Sequence, residues 1–426
     1  MEECYYMNQQ RVFAMYHIET PYDLEYAAKV MAGEQSTGTF IAVPGETEEL
    51  KDQFAAKVVS IEKLGEVPSP TLPGSKPPGG SNKSTSYNRG KVVLSFPLHN
   101  FGPSIPNLLA TVAGNLYELR EFSGLRLMDL ELPNAFMEQY PGPKFGIEGT
   151  RKLANVYNRP LIGTIIKPSI GLTPDDLRIV VRDLAMAGID FIKDDELNAN
   201  PPYAPLKDRV KAAMEEIERV ADKTGKKVMY AFNITDDIDQ LERNHETVVK
   251  AGGNCVMVSI NSIGLTGVAH LRKFSGVPIH GHRNQWGAMT RCPQLGMEFT
   301  AYQKLCRLAG VDHLHCNAID SKFYESNESV IQSAKDCLTP MFGGYTVMPV
   351  LSSGQWAGTA QDSYASMETI DVMHLAGGGI LGHPSGLEAG VKSMIQGWEA
   401  AVSGVPINEY AKTHTELKQA IEKFGK

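Results

Sequence analysis

From about residue 161 onward, short apolar runs alternate with longer stretches whose apolar positions recur every three or four residues. The runs read as strands: Leu161–Lys167, Asp190–Asp195, Lys227–Ile234, Cys255–Ile260, Val277–Arg283, His313–Ala318, Tyr345–Ser352 and Asp371–Ala376. Helical periodicity follows each of them, over Thr173–Ala187, Pro205–Thr224, Asp236–Ala251, Gly267–Phe274, Met297–Ala309, Glu328–Cys337, Asp362–Glu368 and Gly386–Val402. Both faces of the runs are apolar, as strands covered on both sides require. Eight β/α units in roughly 240 residues predict a closed parallel (β/α)8 TIM barrel occupying 151–426, with a C-terminal helical tail. An open doubly wound sheet is the alternative.

Residues 1–150 have a different texture and predict an α+β (ferredoxin-like) domain, which makes the chain as a whole α/β. Tyr22–Ala32 and Pro106–Leu119 have helical patterns; Ala55–Ile61, Lys91–Phe96 and Leu125–Leu132 read as strands. Between the first two strands, Pro68–Gly90 is rich in Pro, Gly and Ser and reads as a mobile surface loop.

Composition narrows the function classes. At 426 residues, 42% hydrophobic and 21% charged, the chain is an ordinary globular one with room for a large core. A net charge of −8 gives no basic footprint, so neither nucleic acid nor an anionic membrane is an expected partner. No apolar run reaches bilayer-spanning length, and the polar stretch Met1–Arg11 is neither a signal nor a transit sequence. The six cysteines (Cys4, Cys255, Cys292, Cys306, Cys316, Cys337) form no CxxC pair, which favours free thiols and a cytoplasmic location.

The candidate chemistry lies where the predicted strands end. The second ends Lys193-Asp194-Asp195-Glu196, and strand alternation puts Lys193 and Asp195 on one side and Asp194 on the other. Acids closing an apolar run suggest a cation at the mouth of the barrel, where barrel chemistry sits. Lys167, His282, Arg283, His315, Lys322 and Ser352 fall at or just beyond other strand ends, whereas His313, inside a strand, reads as structural. Gly377-Gly378-Gly379 and Gly354 either offer backbone amides to a phosphate or simply make tight turns. Arg283, His315 and Ser352 form a second candidate anion cluster. Two carboxylates alone bind Mg2+ weakly. Lys193 either pairs with the acids as an ammonium or, held neutral, adds CO2 and becomes an oxygen ligand.

In these residues the chain resembles the large-subunit superfamily of ribulose bisphosphate carboxylase (RuBisCO). The resemblance rests on Gly163-Thr164-Ile165-Ile166-Lys167-Pro168 with Gly171-Leu172, and on Gly188 through Glu196. It extends to His282-Arg283, His315, Lys322, Ser352, Gly377–Gly379, Glu34 through Thr39, and Gly114-Asn115. It implies a carbamylated Lys193 that binds Mg2+ with Asp195 and Glu196, proton transfer by Lys167, and an acid–base or hydroxyl-binding role for His282. One phosphate would sit on Arg283, His315 and Ser352, the other on Gly354, Gly377 and Gly378. Lys322 would ride the loop closing over substrate. Glu34, Thr39 and Asn115 would reach a partner subunit's site, implying a homodimer or an assembly of dimers.

Four departures point away from the carboxylases: Ser169 for the second lysine of Lys-Pro-Lys, Phe40 for tryptophan, Ser321-Lys322-Phe323-Tyr324-Glu325 for Gly-Lys-Leu-Glu-Gly, and Asn284-Gln285-Trp286 after His282-Arg283. They point to the RuBisCO-like proteins, with a phosphorylated keto-sugar or keto-sugar acid as substrate. A retained Lys322 favours a substrate that carries or loses a carboxylate. Decarboxylation of 3-oxo-isoapionate 4-phosphate is therefore the first expectation. The alternatives are a transcarboxylase/hydrolase on the same substrate, an enolase or isomerase of a ketose phosphate, a true carboxylase, and a non-catalytic sugar-phosphate binder.

Overall fold

The computed structural model describes residues 10–38, 43–80 and 86–425; Cys4, Thr39 and Phe40 lie outside them. The chain divides into two compact units. One runs up to Pro141 and also takes in Gln285–Leu305; the other comprises Gly142–Asn284 and Cys306–Lys426.

The first unit is built on strands β1 (Arg11–Thr20), β2 (Lys57–Val67), β3 (Tyr87–Pro97) and β4 (Gly124–Glu131). A short fifth strand, Leu295–Met297, is β10 by its place in the chain, and the sheet order is β10-β4-β1-β3-β2. The four long strands are antiparallel neighbours, while β10 adds parallel to β4. Helices Leu24–Glu34 and Ile105–Val112 connect β1 to β2 and β3 to β4, which is the ferredoxin-like βαββαβ arrangement. The centre of this sheet, β1, is missing from the sequence-based expectation. Its inward residues Val12, Ala14, Tyr16 and Ile18 are buried, but Phe13 and Met15 between them blur the alternation. Tyr16 donates from its hydroxyl to the Val112 carbonyl (2.6 Å) and ties β1 to the second helix.

Two boundaries differ for visible reasons. The expected helix Pro106–Leu119 stops at Val112 and resumes as a 3-10 turn, Gly114–Glu118; the break falls at a glycine, a weak helix former, at a position where a Cβ would meet the Gln35 side chain at 2.9 Å. The expected loop Pro68–Gly90 is partly tethered. Thr71 donates through its N–H (2.7 Å) and hydroxyl (2.8 Å) to the buried Glu19 carboxylate, and Tyr87–Gly90 already belongs to β3.

The second unit holds the eight parallel strands. They are β5 (Leu161–Ile165), β6 (Phe191–Lys193), β7 (Met229–Asn233), β8 (Cys255–Ser259), β9 (Ile279–His282), β11 (His313–His315), β12 (Met348–Leu351) and β13 (Met373–Leu375). They close into a barrel in the order β11-β12-β13-β5-β6-β7-β8-β9, each shorter than its apolar run. Leu161, Phe191, Met229, Met257, Val350 and Leu375 fill one core cluster with Ala154 and Val156. The helices also match, except that the expected Gly267–Phe274 begins at Ile260 and kinks at Gly264 (φ 72°). Helix Pro174–Met186 starts on a reciprocal cap between Thr173 and Asp176. Cys255, Cys292, Cys306, Cys316 and Cys337 are free thiols. Among the described residues no helix is long and apolar enough to cross a membrane.

Candidate active site

β6 delivers a buried lysine to the C-terminal rim of the barrel, and the chain then leaves the strand through three acids. Asn233, at the end of the neighbouring β7, holds that exit in place. Its side-chain amide donates to the carbonyls of Asp195 and Glu196 (both 3.2 Å), and its backbone N–H donates to the Asp194 carboxylate (2.9 Å). Asp194 also accepts from Arg209 (2.7 Å) and from the Tyr230 hydroxyl (2.8 Å), so the middle acid is spent on the scaffold.

Lys193 Nζ donates to the Asp194 carbonyl (2.9 Å) and lies 3.6 Å from Glu196 Oε2. Burial lowers the pKa of its amine even against the attraction of the three neighbouring carboxylates. A buried amine leaning toward the neutral form is a nucleophile. Lys167, just past β5, donates to Asp195 Oδ2 (2.6 Å) and to Ser169 Oγ (2.7 Å). Burial would raise the Asp195 carboxyl, but the bond from Lys167 and the N–H of Leu197 (3.1 Å) bring it below its ordinary value. Burial likewise opposes ionisation of Glu196, and attraction to Lys193 leads the interactions that bring its pKa below the ordinary value.

His282 accepts at Nδ1 from the N–H of Asn284 (3.2 Å), which leaves its proton on Nε2, 3.6 Å from Glu196 Oε2. Burial, reinforced by Lys193, pushes its pKa down to about 3, so the ring is neutral near pH 7. Among the described residues, no cluster of three or more His, Cys, Asp or Glu is placed to hold a metal. The carboxylates beside Lys193 at this rim are those of Asp195 and Glu196.

Behind the rim runs a chain of buried histidines. His315 Nδ1 meets Ser352 Oγ (3.0 Å), and His315 Nε2 meets His280 Nε2 (2.8 Å). His280 Nδ1 faces His313 Nδ1 (3.3 Å), and His313 Nε2 faces Thr150 Oγ1 (2.9 Å). The Thr150 hydroxyl itself donates to the carbonyl of Gly146. His313 is therefore structural, as its position within a strand suggests. Burial lowers the pKa of all three rings, His313 to about 3.

Arg283 and Glu325 form a two-point ion pair (3.1 and 2.6 Å) with both side chains buried, and Asn317 Nδ2 donates to the same carboxylate (2.9 Å). Glu325 belongs to the loop after β11 that carries Lys322. The Lys322 side chain is exposed there, its ammonium 5.3 Å from the centre of the Phe323 ring. In place of a glycine hinge, Asn317 (φ 69°) and Asp320 (φ 49°) supply left-handed backbone to this loop. Gly354 (φ 75°) lies against its backbone, since a Cβ there would stand 3.4 Å from Lys322 N.

The three consecutive glycines differ among themselves. A Cβ on Gly379 would sit 2.5 Å from the Gln355 carbonyl, so glycine is a packing requirement there. Around Gly378 the space is open, and at Gly377 a Cβ would make only ordinary contact with Lys167. In the first unit, Glu34 and Asn115 are exposed on adjacent stretches bridged by Gln35, whose amide, in the orientation that satisfies its neighbours, accepts from Asn115 N (3.0 Å). Thr39 lies outside the described residues.

Sequence reasoning did not single out Glu325, Asn317, His280 or Thr150 for roles. The histidines had a legible signal. His280/His282 and His313/His315 are spaced by two, so each pair shares one face of its strand, and the two strands are neighbours.

A closed parallel barrel with lysines, carboxylates and histidines converging on its C-terminal rim is the architecture of a barrel enzyme. The chain belongs to the ribulose bisphosphate carboxylase large-chain family: the family's N-terminal domain matches residues 1–136 and its catalytic domain residues 146–424. It is 49% identical over 414 residues to the 3-oxo-isoapionate-4-phosphate transcarboxylase/hydrolase of Xanthobacter autotrophicus, covering 97% of this chain and 99% of the relative. It is 47% identical over 413 residues to the 3-oxo-isoapionate-4-phosphate decarboxylase of Rhizobium etli, covering 96% and 98%. The crystal structure of a rubisco-like protein from Burkholderia fungorum superposes with a TM-score of 0.90 at 44% identity, over 98% of this chain and all of that one.

Proposed function

We propose that this protein is a Mg2+-dependent RuBisCO-like lyase that decarboxylates 3-oxo-isoapionate 4-phosphate. The observation carrying the reading is that two relatives near half identity, aligned over nearly the whole chain, differ in their named reaction but share this substrate. The intact rim supports it. Lys193, as a carbamate, would complete with Asp195 and Glu196 an all-oxygen donor set of the kind Mg2+ prefers. The buried amine, biased toward its neutral form, fits addition of CO2. A Mg2+ ion bound there would stabilise the negative charge of the enediolate left when the β-keto acid loses CO2.

The chain's own residues then handle protons and position. As the C–C bond to the carboxylate breaks, its electron pair moves into the adjacent carbonyl, and Lys167 returns a proton to the carbon. Its ammonium is held by Asp195 and Ser169, and the side chain as a whole is about 43% exposed. His282 presents a neutral Nε2–H for a substrate hydroxyl. The amides at Gly354, Gly377 and Gly378 take the phosphate, and Lys322 accompanies the departing carboxylate. Glu34, Thr39 and Asn115 would serve a partner subunit's site in a homodimer.

The transcarboxylase/hydrolase outcome is the second reading, favoured by the slightly higher identity to the Xanthobacter relative. Purified protein given the keto acid, CO2 and Mg2+ should release CO2 and a tetrulose phosphate, whereas glycolate among the products would mark the second reading. Lys193→Met should abolish turnover. Absence of both CO2 and glycolate with the wild-type protein would overturn the assignment.

A further inference from the structure

Arg283, His315 and Ser352 are the residues that the family resemblance gives to a second phosphate, yet each is already committed here. The guanidinium of Arg283 spends two N–H groups on Glu325, and the carboxylate takes a further donor from Asn317. The ion-pair side chains are only 7% and 8% exposed, so a phosphate approaching Arg283 would meet a buried carboxylate at short range. Like charges brought together that way cost several kilocalories per mole.

The histidine chain leads to the same conclusion independently. The Thr150 hydroxyl has one hydrogen, and it is given to the Gly146 carbonyl. Thr150 must then accept from His313 Nε2, so His313 Nδ1 accepts from His280 Nδ1–H. His280 Nε2 in turn accepts from His315 Nε2–H, and His315 Nδ1 accepts the hydroxyl hydrogen of Ser352. Every proton along the wire points away from the rim. Ser352 is left with lone pairs, which suit a donor such as a hydroxyl and repel phosphate oxygens. Just past the neighbouring β11, Asn317 Oδ1 is buried without a hydrogen-bond partner, a second acceptor in want of a donor.

We infer that Glu325 fills the place of a second phosphate, so that the substrate carries one phosphoryl group, at the Gly354–Gly377–Gly378 end, and presents uncharged hydroxyls to Arg283, Ser352 and Asn317. Glu325 is thus a specificity-determining residue and the Thr150–His313–His280–His315 wire a positioning device for Ser352. The inference rests on the assignment of this rim as the substrate site made above.

Calorimetric titration with two probes, ribulose 1,5-bisphosphate and ribulose 5-phosphate, tests it. The wild-type protein should bind the bisphosphate no tighter than the monophosphate. Glu325→Gln keeps the shape and removes the charge, and should shift the ratio toward the bisphosphate by about tenfold or more. Tighter wild-type binding of the bisphosphate would overturn the inference, and so would a folded variant whose ratio does not move. Should Glu325→Gln not fold, the wild-type comparison decides alone. Turnover of the keto acid is scored separately. A protein that decarboxylates it yet prefers the bisphosphate loses only this inference; one that prefers the monophosphate yet leaves the keto acid untouched loses only the proposed function.

Discussion

Three consecutive acids follow Lys193, and they do different jobs. Alternation alone separates Asp194 from Asp195, and the structure agrees: Asp194 is fully buried among Arg209, Tyr230 and the N–H of Asn233. Its partners lie 15 to 39 residues away in sequence, which is why the pairing could not be read from the motif. Breaking a buried pair from one side leaves the other charge stranded, at a cost of about 3–5 kcal/mol. Asp194→Ala should therefore lose about that much stability by urea denaturation, and Asp194→Asn, which keeps an acceptor, should lose less. A loss below about 1 kcal/mol in the alanine variant would mean that Arg209 is satisfied by the carbonyls of Ala199 and Ala204, to which it also donates. Glu325 marks the opposite limit of sequence reading. It is visible as a departure from the carboxylase loop, but its meaning depends on Arg283, 42 residues away, which only the fold brings to it.

At the level of elements, the barrel strands are legible because both their faces are apolar, and the edge strand β2 is legible only in part because both its faces are largely exposed. The Gly377–Gly379 turn was recognisable as a turn, but its purpose was not, since the neighbours of each glycine come from distant segments. Those neighbours now separate two roles within three residues. Gly379→Ala places a methyl against the Gln355 carbonyl and Trp356 and should cost about 1–3 kcal/mol through overpacking. Gly378→Ala meets nothing within 4 Å and should leave the urea midpoint unchanged. It does put a methyl into the proposed phosphate cradle, so KM for the keto acid should rise about tenfold, the worth of roughly 1.4 kcal/mol of binding. An unchanged KM with Gly378→Ala would remove this turn from the substrate site.

The whole molecule has one feature that no single motif announces: two units that are not two contiguous stretches of chain. Three residues of β10, Leu295–Met297, carry too little periodicity to signal that Gln285–Leu305 groups with the N-terminal sheet. The barrel unit carries a second global property in its buried histidines. His374 accepts at Nδ1 from Trp398 Nε1–H (2.8 Å) and faces the side-chain amide oxygen of Gln355, Oε1, with Nε2 (3.0 Å). Protonating Nδ1 would set one N–H against another, and burial holds the pKa of this ring and of His313 near 3. In the unfolded chain both titrate near 6.5. Between pH 6.5 and about 3 the unfolded state thus binds protons that the folded state refuses, and stability must fall as pH falls through that window. At pH 5.5 each of the two costs about 1.4 kcal/mol, and His282, also held near 3, costs as much, so these three cost roughly 4 kcal/mol together, with the buried His280 and His315 adding to the loss, well above the range where Asp195 and Glu196 protonate. The urea midpoint should accordingly drop on going from pH 7.5 to 5.5, and His374→Gln should lessen the loss by one ring's share, about 1.4 kcal/mol. A midpoint flat across this interval would show that the folded barrel accepts these protons, and that the one-way polarity assigned to its histidine wire is not enforced.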